Sequence, residues 1–282
     1  MSEESSFRIL EDIARDLSGN EISFPTFLDV TFQIRGALKN PTLTVDQLSV
    51  LVGAEPLMST KVIRLANSAA LNSSGRTIAD VKSAITRVGM EAVRSISFAV
   101  AMEQLLGSKK MAPFEWISQR LWEHTIHVAA LCRVLARKGK RINADEAMCA
   151  GLVHDIGVFY LLARATNFPE LIADKVELYD LLVDWHDNIG HALLSAMGLG
   201  EDLLTAVLEH EIERPVSSIK TLPDVLFVAN KLANLQSSWR NEEVNYELTV
   251  AALSGLFDAE AITGLLAESE DDVTSLKAAL AG

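Results

Sequence analysis

Ala150-Gly151-Leu152-Val153-His154-Asp155-Ile156-Gly157-Val158-Phe159-Tyr160-Leu161-Leu162 is the stretch that decides how this chain folds. Apolar runs flank the His154-Asp155 pair on both sides, as in a helical core. Two polar side chains buried in such a run are costly unless something pairs with them. A His and an Asp adjacent on the backbone can chelate one divalent ion if the helix bends there, and Gly157 makes a bend cheap. The partner is either a metal or a hydrogen-bond network, and function turns on which.

Outward from this stretch, nearly every segment has a helical period. Asn143, with Glu146 three residues on, resembles a capping box and starts the helix that carries the pair. Before it, Ile117, Leu121, His124, Val128, Leu131 and Leu135 form one stripe of a long helix. His124 therefore points at the core and His127 toward the flank. After the pair, helices are expected over about 169–180, 184–197, 201–211 and 222–236, with breaks at Gly198-Leu199-Gly200, Pro215 and Pro223. Trp116, Trp122 and Trp185 are read as core filling near a lobe interface.

Toward the N-terminus, Phe7, Leu10, Ile13, Ala14 and Leu17 give a stripe stopped by Gly19-Asn20. Phe27, Val30, Ile34 and Leu38 give another, stopped by Asn40-Pro41. Thr44 and Gln47 form a capping box, and Pro56 suits the first turn of the helix carrying Leu57, Val62, Ile63 and Leu65. Asn67-Ser68 suits a helix end and turn. Gly89 ends a short helix, and a longer one runs to Gly107. The polar segment 107–113 marks a boundary. The expected organisation is an N-terminal lobe over 1–107, a second helical lobe over 113–236 and a helical extension over 237–282. In the extension, Ala251, Leu253, Leu256, Ile262, Leu265, Leu266, Leu276 and Leu280 are the apolar positions. No strand pattern is evident, so the fold class is all-α.

The bulk numbers exclude several roles. The 282 residues are 49% hydrophobic, enough for a sizeable core. Lys plus Arg total 25 against 38 for Asp plus Glu, a net charge of −13. Such a surface repels phosphate backbones and anionic membranes, so broad nucleic-acid binding is not expected. No apolar run reaches about 18 residues, so no membrane span is expected. The acidic N-terminus carries no signal peptide, and the expected location is the cytoplasm. Cys132 and Cys149 sit in apolar helical patterns and read as buried thiols.

Six histidines occur, at 124, 127, 154, 186, 191 and 210. A single His on an apolar face is usually a hydrogen-bonded core residue. As a set, however, His124 faces inward and His154-Asp155 breaks an apolar run. His186 follows Trp185 near a helix start, and His210 ends a helix. Four helices could bring these groups to one point, a common way to build a metal site in a bundle.

Trp122-x-His124, then Gly151 to Gly157, then His186 and His210 resemble the HD superfamily, which is all-α and includes many metal-dependent phosphohydrolases. Further segments resemble its HDOD branch (HD-related output domain). They are Phe24-Pro25-Thr26-Phe27, Glu55 to Val62, Arg64-Leu65-Ala66-Asn67-Ser68, and Ala84-Ile85-x-x-Val88-Gly89. The resemblance runs from about residue 22 to about 235. It implies a bacterial, cytoplasmic signalling protein that has lost full hydrolase activity, with metal candidates His124, His154, Asp155, His186 and His210. The chain departs from the hydrolase pattern at Ala229-Asn230-Lys231-Leu232, where the pattern has an Asp ligand, and at Glu211, where the related phosphodiesterases have a second His. Glu211-Ile212-Glu213-Arg214-Pro215 replaces their Gly-Tyr-Pro signature. No Lys or Arg flanks His154-Asp155 to receive phosphate.

Two readings follow. In the first, the chain is a signalling module that relays a state through contacts with other signalling proteins, its HD site degenerate. In the second, it is a divalent-metal phosphohydrolase acting on a nucleotide or phosphoester, with Asp155 as the catalytic carboxylate and Fe, Mn, Ni or Zn as the ion. A nucleotide-binding pocket without turnover is a weaker third. The first is the reading adopted from sequence.

Overall fold

The computed structural model describes residues 2–18, 29–38, 40, 42–69, 71–72, 75–139, 141–240 and 246–280. Among them there is no strand. The helices in chain order are α1 (Ser2–Ser18), α2 (Asp29–Leu38), α3 (Val45–Gly53), α4 (Pro56–Ala66), α5 (Val81–Val88), α6 (Met90–Leu106), α7 (Glu115–Gly139) and α8 (Ala144–Val153). They continue with α9 (Ile156–Ala165), α10 (Pro169–Ala173), α11 (Lys175–Ala196), α12 (Glu201–Glu209), α13 (Leu222–Asn234), α14 (Tyr246–Leu253) and α15 (Ala259–Leu280). A short 3-10 helix, Lys109–Phe114, joins α6 to α7. The Phe24-Pro25-Thr26-Phe27 motif and Gly19-Asn20 lie outside the described residues.

Local chemistry sets most of the boundaries. Thr44 and Gln47 form the reciprocal capping box at the start of α3. Pro56 occupies the first turn of α4. Asn143 accepts from the backbone N–H groups of Asp145 and Glu146. Asn67 both ends α4 and pins the following loop: its carboxamide donates to the Ile78 carbonyl, and its oxygen accepts from the Ile78 N–H. Gly89 has φ 87° and Gly198 φ 69°, left-handed positions that glycine occupies without a Cβ clash.

Several sequence expectations shift. The expected break near 180–184 is absent: α11 runs unbroken from 175 to 196, capped by Asp174, which accepts from Val176 and Glu177. His186 is therefore mid-helix rather than near a helix start. On α1 the inward face is Ile9 and Ile13, while Phe7 is exposed. Leu57, Ala251 and Trp185 are exposed too, so Trp185 is not core; Trp239 is the deeply buried tryptophan.

Two hydrophobic clusters meet along α7. One gathers α7 to α13, with Ile9 and Ile13 of α1 added to it. The other joins α3 to α6 with Val273, Leu276, Ala279 and Leu280 of α15. The stretch 144–165 has the length and apolarity to cross a membrane, but 89% of its 18-residue apolar window is buried inside this fold and it is broken at His154-Asp155.

Candidate metal centre

His154 and Asp155 do not lie within one helix. His154 closes α8, and Asp155, with φ −96° and ψ 18°, opens α9. The bend at this junction turns both side chains to one side. Gly157 serves a different purpose from the one expected. A Cβ there would lie 1.9 Å from the His186 carbonyl oxygen, so its hydrogen lets α9 touch α11. Gly151 does the same against α7, where a Cβ would lie 2.6 Å from Ala129 Cα. These two close approaches draw the imidazoles of α7 and α11 onto the α8–α9 junction.

His124, His154, Asp155, His186, His210 and Asn230 all converge, each exposed by 1% or less. The rings of His124 and His154, His154 and His210, and His186 and His210 have centroids 5.1–5.4 Å apart. Asp155 sits among them. Its Oδ2 is 3.1 Å from His154 Nε2 and 3.9 Å from His124 Nε2. Its Oδ1 is 3.6 Å from Nε2 of both His186 and His210. His127 and His191 stand apart; His127 meets Gln236 on the flank.

Every one of the four histidines places Nδ1 against a backbone carbonyl. His154 donates to Gly151 at 2.8 Å, His210 to Val207 at 2.6 Å, His186 to Leu182 at 2.9 Å and His124 to Ser237 at 2.7 Å. In a neutral ring this leaves the Nε2 lone pair free, and all four Nε2 atoms face the centre. The Nε2 atoms of His154, His186 and His210 and both Asp155 oxygens are buried without a hydrogen-bond partner. Such orphaned acceptors are rare in folded proteins.

Asn230 adds to the conflict. Its Nδ2 donates to Glu211 Oε1 at 3.2 Å, which aims Oδ1 at His124 Nε2, 2.9 Å away. His124 cannot donate from both nitrogens while neutral. Burial, reinforced by His154, lowers its pKa to about 4, so it is neutral near pH 7. Two lone pairs therefore face each other. Flipping the amide only moves the clash to Glu211. Adjacent ligands around an ion at roughly 2.1 Å lie about 3.0–3.4 Å apart, so a cation here would resolve the conflict. The donors fall into two sets that share Asp155, namely His124 with His154 and His186 with His210, and within each set the ligand atoms lie within 4.8 Å of one another. Imidazole nitrogens with a carboxylate suit a divalent transition ion, and each imidazole is oriented by the backbone carbonyl on its Nδ1.

Burial would raise the Asp155 carboxyl, but the imidazoles, His154 foremost, outweigh it and hold it well below the usual range. Burial would lower His210, yet Asp155 and Glu211 together raise it. Burial lowers His186, only partly offset by Asp155. Glu211 is pushed up by burial and pulled down further by His210 and Arg240.

Sequence reading missed Ser237, Trp239 and Arg240. Trp239 meets the His186 ring edge-on at 5.6 Å, and Arg240 NH2 is 3.4 Å from Glu211 Oε1. Arg120 donates to the Ser238 and Arg240 carbonyls and holds this segment over the site. These residues follow α13 in a stretch with no periodicity to betray them. Arg240 also brings a guanidinium to the edge of a site whose chain neighbours contain none.

The fold has solved counterparts. One, from Shewanella amazonensis SB2B and provisionally named a metal-dependent phosphohydrolase, is 25% identical, with TM-score 0.75 over 98% of this chain and 99% of its own. An HDOD domain protein of unknown function from Geobacter sulfurreducens is 21% identical, with TM-score 0.64 over 94% and 96%. A Marinobacter aquaeolei VT8 protein, provisionally named for signal transduction, is 16% identical with TM-score 0.63; this chain spans 65% of it. No curated protein matches the chain. The HDOD domain pattern covers residues 24–212, most of the N-terminal helices and the histidine cluster through His210, and the chain belongs to the HDOD family.

Proposed function

We propose that this protein is a regulatory signalling module that acts through contacts with other proteins, and that its histidine centre holds a divalent transition ion as a fixed part of the fold. The observation that carries this reading is burial. The side chains that face the centre are exposed by 1% or less, and the Ser237–Arg240 segment lies against them. A phosphoester would have to displace that segment before meeting the ion. The ion would add rigidity at the point where α7, α8, α9, α11, α12 and α13 meet, which suits an element that transmits a state between lobes. If bound, it supplies Lewis acidity; the residues here hold it, orient it and exclude water.

A second reading, metal-dependent phosphohydrolase, is favoured by the intact set of Nε2 lone pairs around Asp155 and by Arg240 at the rim. The two separate in one experiment. Metal content of the purified protein is measured, and wild type and Asp155→Ala are assayed on nucleotides, cyclic dinucleotides and generic phosphoesters with added manganese, nickel or iron. The expected outcome is a bound transition ion with negligible turnover. Robust wild-type turnover lost in Asp155→Ala overturns the signalling reading.

A further inference from the structure

The centre has a single carboxylate, Asp155, and Asn230 contributes an oxygen without charge. Neutral imidazoles and one carboxylate leave a divalent ion with a net positive charge in a buried site, an unfavourable condition in low dielectric. A second carboxylate stands directly behind the amide. Glu211 Oε1 accepts from Asn230 Nδ2 at 3.2 Å, lies 3.7 Å from His210 Nε2 and is anchored 3.4 Å from Arg240 NH2. It belongs to the loop after α12, and its chain neighbour His210 is one of the converging imidazoles.

We propose that Glu211 is a positioning residue of the cation site: through the Asn230 amide it turns Oδ1 toward the ion and supplies the second negative charge that Asn230 lacks. This rests on the reading that the centre holds a divalent ion. Two effects follow from one contact. Because the carboxylate can only accept, the amide must present nitrogen to Glu211 and oxygen to the centre. Because the carboxylate is held close by Arg240 and the amide, its charge acts on the ion with little intervening water. Arg240 meets the same Oε1, so it offsets part of that charge and holds the oxygen in place.

The roles separate by mutation. Glu211→Gln keeps an oxygen that can accept from Asn230 but removes the charge; Glu211→Ala removes both. Cobalt(II) is titrated into metal-stripped protein, following heat and the visible absorption of the bound ion. Thermal melts in chelator check that each variant folds. The expected loss of cobalt affinity is about tenfold for Glu211→Gln and greater for Glu211→Ala, in the range for removal of an outer-shell partner. Asn230→Asp introduced into Glu211→Gln should recover most of the affinity, because it returns one carboxylate to the site. In the wild-type background the same change should help less, since it sets two carboxylates side by side. Asp155→Ala is the control for the centre itself, because Asp155 is common to both sets of ligands. Loss of cobalt in Asp155→Ala with wild-type affinity in Glu211→Gln overturns the role of Glu211 alone. Cobalt binding unchanged in Asp155→Ala overturns the ion site and this proposal with it.

Discussion

His124 is the residue on which the chemistry of the centre turns. Its Nδ1 is bound to the Ser237 carbonyl and its Nε2 faces both Asn230 and Asp155. Burial, then His154, hold its pKa at about 4, below the ordinary 6.5. The sign of the pH effect follows. Between these values the unfolded ring takes a proton that the folded ring refuses, so stability is full above pH 6.5 and falls as pH drops toward 4. His186, also depressed by burial, acts in the same direction. His210, with a raised pKa, stabilises below 6.5 and loses that contribution as pH rises through its folded value. For metal-stripped protein, urea unfolding between pH 6.5 and 4 should lose about 3 kcal/mol from His124 alone. His124→Gln should flatten this limb, and an unchanged slope would place the acid sensitivity elsewhere.

At the scale of elements, the site is built by two contacts between helices. α9 reaches α11 only because Gly157 has no Cβ, and α8 reaches α7 only because Gly151 has none. Neither glycine has a positive φ, so the requirement is space rather than backbone conformation. Gly157→Ala must push α9 off the backbone of α11 at His186. A cost of about 3 kcal/mol in urea unfolding is expected, at the upper end for an overpacked core. The same variant should lose metal, because His186 and Asp155 move apart. Ordinary stability together with wild-type metal content would show that the helices separate more cheaply than the contact implies.

Across the whole molecule, α15 ties the two clusters together. Its apolar face packs on the cluster of α3 to α6, and its Asp272 enters α7 between Arg133 and Arg137, at 2.9 and 3.1 Å. Lys61 of α4, 1% exposed, reaches both Glu103 and the last described carbonyl of α15, Leu280. The positive charge lies at the negative end of the helix dipole. At the opposite end of the chain, α1 docks on the other cluster, with Ser6 bound to Glu177, Arg8 to Glu170 and Arg164 to Asp16. Asp272→Ala leaves the buried Arg133 only the more distant Asp145, 3.8 Å away, and a loss of about 3 kcal/mol is expected by thermal or urea unfolding. A change under about 0.5 kcal/mol would match an exposed ion pair instead and deny α15 this anchoring role.

Periodicity made the all-α fold legible, because a helix writes its buried face every three to four residues. Caps were legible too, since Thr44, Asn143 and Pro56 act on neighbours within one turn. Three of the four metal-competent histidines could also be read locally: His154, His186 and His210 fix their tautomers on carbonyls three or four residues back. His124 was legible as core-facing from the α7 stripe, but its tautomer was not, since its carbonyl partner, Ser237, lies 113 residues away. Glu211 read as a departure from a pattern, and only the fold shows it behind Asn230. Trp239 and Arg240 carried no signal because a loop has no period. The donor types were thus set by sequence, whereas their direction toward one point, and the burial that makes unpaired acceptors costly, exist only once six helices have packed around the His154-Asp155 bend.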